Sequence, residues 1–125
     1  MHYSIEDHKH RYSAWAASRA ASVKNCRFEV SDGRQVIEEI GLNGVASHPD
    51  KLPDAASIDV AHREWRESAI VSANRLGITF THGVAAKLIN VYLKGMIVCG
   101  GYNLHPNAKG LHPPIDKLLL DELYV

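Results

Sequence analysis

Apolar residues recur along this chain at helical rather than strand spacing, and Gly, Pro, Asn and Asp fill the gaps between the runs. The first run predicts a helix that starts near Ser4. With Asp7 three residues on, Ser4 forms a variant of the capping box. The helix passes through Tyr12, Trp15, Ala16, Arg19 and Ala20 to about Ser22, and its alanines at 14, 16, 17, 20 and 21 suit close packing. Residues 26–30 alternate and read as extended. Ser31 is then expected to cap a short helix striped by Val36, Ile37 and Ile40, with Gly41 at its C′ position.

Residues 41–56 hold Gly41, Asn43, Gly44, Pro49, Asp50, Pro53 and Asp54 and read as a loop between two helical layers. Ser57 is expected to cap a helix with the core stripe Val60, Ala61, Trp65, Ala69, Ile70, Ala73 and Leu76, ended by Gly77. Ile78, Thr79 and Phe80 cross to a helix that Thr81 caps. That helix, about 82–98, is apolar on nearly all sides, which places it in the middle of a bundle. A second loop covers 100–115, and a last helix near Asp116 is expected to bury Leu119, Leu120 and Leu123. The pattern predicts an all-α fold: a single compact domain over 1–125, a bundle of about five helices with one short extended segment.

Composition narrows the function classes. At 125 residues the chain is long enough for one core and too short for two. Lys+Arg and Asp+Glu both number 14, so the chain lacks the basic excess of a strongly electrostatic nucleic-acid binder, although a local basic patch stays open. Cys26 and Cys99 are too few for a disulfide scaffold, and a reduced, cytoplasmic setting is expected. Charged and His residues fill the first eleven positions, so no signal peptide is expected, and no apolar run is long enough for a membrane span. The eight histidines are scattered, with no two at ligand spacing on one helical face, so neither a metal nor a cofactor is expected.

Candidate chemistry lies on the central helix. Gly83, Lys87, Asn90 and Lys94 fall at i, i+4, i+7 and i+11, a narrow polar stripe along an apolar helix. An amine among apolar residues is costly unless it pairs or does chemistry. Downstream, His112, Pro113, Pro114 and Ile115 lead into Asp116, a carboxylate at the expected N-cap of the last helix. The bland readings stand beside these: a solvent stripe for Lys87, Asn90 and Lys94, and a plain cap for Asp116. Trp15 and Trp65 read as core aromatics, and Arg63, Arg66 and Arg75 with Glu64 and Glu67 read as a solvated ion-pair face. Arg19 reads as partly buried, with Glu38 or Asp116 as its partner, and the cluster from His8 to Arg11 reads as a solvated helix start.

Gly83-Val84-Ala85-Ala86-Lys87 followed by Pro114-Ile115-Asp116 resembles the catalytic segment of helix-hairpin-helix DNA glycosylases, in particular the 8-oxoguanine branch, over residues of about 78–120. The resemblance implies a glycosylase or abasic-site lyase in which Lys87 attacks the sugar of a flipped nucleotide and Asp116 steadies the developing charge. It also implies Gly83, Asn90, Lys94 and His112 as substrate-binding positions, and DNA as the partner. The alternative reading is a non-catalytic protein- or DNA-interaction module, with a homodimer through the alanine-rich first helix as one form.

Overall fold

The structure, a computed structural model, describes residues 4–47, 49–54 and 56–97. The expected last helix, with Asp116 and His112, lies outside the described residues. Five α-helices lie within them: α1 (Ile5–Ala21), α2 (Val30–Glu39), α3 (Leu42–Val45), α4 (Ile58–Arg75) and α5 (His82–Leu93), with a 3-10 turn at Pro49–Lys51. No strand occurs among the described residues; only Val23 and Cys26 pair across a tight turn. The fold is all-α.

Most helix ends are set by local chemistry. The Ser4 Oγ accepts the Asp7 N–H at 3.3 Å and the Thr81 Oγ1 accepts the Val84 N–H at 3.1 Å, so each cap satisfies a donor the helix cannot. Gly41 (φ 76°) and Gly77 (φ 79°) turn the chain after α2 and α4 through the left-handed region, where a Cβ would be strained. Two caps differ from expectation. α2 begins at Val30, before Ser31, because Glu29 caps it and donates its N–H to the Asp32 carboxylate at 3.0 Å. Ser57 does hold the N-cap position of α4, but its hydroxyl bonds no helix N–H; the Asp54 carboxylate accepts the Ser57 N–H at 2.9 Å.

α5 is the hub. It packs against α1 on one side and α4 on the other, and α2 leans on both α1 and α4. Val84, Ala85, Leu88, Ile89, Tyr92 and Leu93 are buried along it, and a π-helical turn carries it on over 94–97. Burying each of the aliphatic side chains Val84, Leu88, Ile89 and Leu93 contributes roughly 1.5–3 kcal/mol. The small residues of α1 let the helices come close. Ala14, Ala17 and Ala21 are fully buried, and a Cβ added at Gly95 would lie 2.6 Å from the Ser13 Oγ.

Several expected faces rotate. The buried stripe of α4 is Ile58, His62, Ala69, Ser72 and Ala73, whereas Val60 is 58% exposed and Trp65 half-buried. Trp15 is 49% exposed, so it is not a core aromatic, and Arg19 is exposed as well. Of the alanines of α1, Ala14, Ala17 and Ala21 are buried inside the chain, and Ala16 and Ala20 are half-buried.

Candidate functional site

The polar stripe of α5 runs from solvent into the bundle. Gly83 is exposed, Lys87 and Lys94 are half-buried, and Asn90 between them is 1% exposed. A stripe facing only solvent would not bury its middle member, so that reading fails at Asn90. What draws Asn90 inward is α4, whose His62 lies 2.7 Å from the Asn90 Oδ1 through its Nε2. One turn on, the Arg66 guanidinium contacts the Nδ1 of the same ring.

Those contacts define the ring's protonation. A guanidinium only donates, so the His62 Nδ1 must accept, and the ring is neutral with its hydrogen on Nε2 donated to the Asn90 carbonyl. Burial is the main force lowering the His62 pKa below 6.5; the Asn90 bond opposes it, the Arg66 charge adds to it and Asp59 opposes it. Arg66, His62 and Asn90 thus form a directed chain from the surface to the core. The Asn90 Nδ2 at its end is buried with no hydrogen-bond partner among the described residues. Leaving such a donor unmet costs about 1–3 kcal/mol. Arg66 belongs to this chain rather than to a solvated ion-pair face.

Of the expected site residues, the structure therefore brings Lys87, Asn90 and Lys94 onto one face, with Gly83 at its exposed start. Asp116 and His112 lie outside the described residues, so the lysine–aspartate pair is not described.

Two further constellations were not apparent in the sequence. His10 joins three helices: its Nδ1 lies 2.7 Å from the Tyr92 hydroxyl on α5 and its Nε2 2.9 Å from Glu38 on α2. Burial, helped by the Glu38 charge, pushes the Tyr92 hydroxyl well above its ordinary pKa of 10. Elsewhere, an open groove of about 420 Å³ lies between α2 and α4, with Glu39, Ile40, Glu67, Val71 and Arg75 among its lining. There the Ser72 hydroxyl donates to Glu39 and Gln35 also bonds it, which together with the Arg75 charge holds the Glu39 carboxyl below the usual range. Neither Lys87 nor Asn90 lines that groove. Each constellation joins residues far apart in sequence, so no local motif announces it.

Among the described residues, no group of three or more His, Cys, Asp or Glu could hold a metal ion. The Cys26 thiol is half-buried, with the Thr79 carbonyl 3.5 Å away. No described helix is long and apolar enough to cross a membrane. Compared with protein-family models, curated proteins and solved structures, the chain matches none.

Proposed function

We propose that this helical domain processes nucleic acid through the amine of Lys87, in the manner of lysine-dependent DNA glycosylases and abasic-site lyases, in a cytoplasmic setting. The observation that carries the reading is the placement of Lys87. It sits half-buried on an apolar central helix, one turn before an amide that His62 and Arg66 fix in place. A nucleophilic amine needs partial removal from water and rigid neighbours, and this face supplies both. The likeness of residues 83–87 and 114–116 to the glycosylase segment gives the chemistry its direction, with Asp116 as the expected carboxylate.

The step is a condensation. On an abasic site the neutral Lys87 amine adds to the aldehyde carbon of the opened sugar, and loss of water leaves a C=N bond between protein and DNA. On an 8-oxoguanine nucleotide the amine attacks the sugar C1′, and the glycosidic bond breaks with the base leaving and taking up the amine's proton. Opening of the sugar ring then gives the same C=N bond. Borohydride then delivers hydride to that carbon and fixes the link as a secondary amine. Incubation with borohydride and DNA bearing an abasic site or 8-oxoguanine is expected to give a covalent adduct that Lys87→Ala abolishes. No adduct across damaged single- and double-stranded substrates would overturn the enzymatic reading. A non-catalytic interaction module is the second reading, favoured by the aromatic side chains left exposed on α1.

A further inference from the structure

We propose that the outer face of α1, with a small pocket at its C-terminal end, binds single-stranded nucleic acid by stacking and phosphate contact, separately from Lys87. Tyr12 (62% exposed) and Trp15 (49% exposed) stand side by side there, their ring centroids 6.0 Å apart and tilted by 34°. With Arg19 they occupy i, i+3 and i+7, so the three share one face, opposite the alanines that pack on α5. Arg19 also lines a pocket of about 170 Å³ with Ser18, Ser22, Arg27, Phe28 and Glu29. The Ser22 Oγ accepts the Phe28 N–H at 3.1 Å, which leaves its own hydrogen free to donate. Two arginines and a serine with a hydroxyl hydrogen to donate thus line a space of phosphate size, next to Arg19 one helical turn past Trp15.

Charge selects the occupant. Residues 8–28 carry Lys9, Arg11, Arg19, Lys24 and Arg27 and no Asp or Glu, although the whole chain is neutral. The carboxylates of α1, Glu6 and Asp7, are confined to its first turn. A second copy meeting this face across a two-fold axis would set Arg11 and Arg19 near the same cations. Tyr, Trp and Arg also serve protein interfaces, so it is the excess of cations with no carboxylate between them, rather than residue type, that decides against a second copy. A polyanion does not meet that repulsion. The strand must be single, because bases inside a duplex offer no open face to an aromatic ring. Glu29, the one carboxylate in the pocket lining, opposes an anion there.

Undamaged oligo(dT) tests this without any chemistry at Lys87, so its outcome and that of borohydride trapping are independent. In a Trp65→Phe background, Trp15 is the remaining tryptophan, and its fluorescence is expected to be quenched on titration with the oligonucleotide. Affinity should fall steeply with salt. Trp15→Ala, or Tyr12→Ala should the first variant lose its helical circular dichroism, is expected to weaken binding about 5- to 150-fold. Arg19→Ala and Arg27→Ala should each flatten the salt dependence, and Glu29→Gln should tighten binding. Absence of binding at low salt, or affinity untouched by both aromatic variants, overturns the proposal. So does a concentration-dependent dimer that Trp15→Ala dissolves, which would assign the face to a second copy.

Discussion

His62 is 8% exposed yet polar, and it survives in the core because both ring nitrogens are engaged. That arrangement suits the neutral ring only, since a second ring hydrogen would point at the Arg66 guanidinium. The unfolded chain has no such constraint and takes up a proton near pH 6.5. Because the folded value is lowered, the stability this residue contributes is fully present above pH 6.5. It is lost as pH falls below 6.5 and through the folded value. The urea midpoint is therefore expected to drop between pH 7.5 and pH 5.5. His62→Gln, which keeps a donor and an acceptor but cannot titrate, should drop less. Equal drops in the two proteins would show that His62 is not the titrating group. Nothing local reveals this residue in the sequence: Asn90 lies 28 positions away, and an apolar periodicity counts Val60 as core while passing over a histidine. Lys87 and Asn90 stood out as polar residues in an apolar helix, but which way they face depends on α4.

At the scale of elements, caps and breaks were legible because they are local. Ser4, Thr81, Gly41 and Gly77 act within four residues of themselves, and each sits where the chain pattern predicts. α3 was not legible, since four residues inside a Gly- and Pro-rich stretch are below the length at which a helix holds itself, and packing of Leu42 supports it. The crossing of α1 on α2 also depends on a contact that no periodicity shows. A Cβ at Gly33 would lie 2.8 Å from the Ser18 Cβ and 3.1 Å from the Phe28 ring. Helix propensity alone favours Ala over Gly by up to about 1 kcal/mol, but overpacking costs about 1–3 kcal/mol and wins here because the opposing atoms belong to a buried, short side chain. Gly33→Ala is expected to destabilise the protein, and adding Ser18→Gly should recover part of the loss beyond additivity. A Gly33→Ala variant as stable as the parent would mean that the two helices do not approach this closely.

Over the whole molecule, α5 and, to a lesser extent, α2 join α1 to α4, so the bundle is expected to unfold as one unit. α1 and α4 both pack on α5, and their tryptophans report on opposite sides: Trp15 half-exposed on α1 and Trp65 half-buried on α4. Leu88 is fully buried in the shared helix, so Leu88→Ala removes packing that neither layer can replace and is expected to cost about 2–5 kcal/mol. If α5 is the common core, that loss belongs to both sides equally. Urea unfolding of the Trp15→Phe and Trp65→Phe variants, each followed by its remaining tryptophan, should then give coincident midpoints before the Leu88 change. Both midpoints should move down by the same amount after it. Independent layers would instead separate the two curves, with the shift confined to one. Coincidence matters for function as well, because a cooperative bundle carries the α1 face and the α5 stripe on one rigid body. A strand stacked on Tyr12 and Trp15 would then be held at a fixed distance from Lys87, while separable layers would let that distance wander.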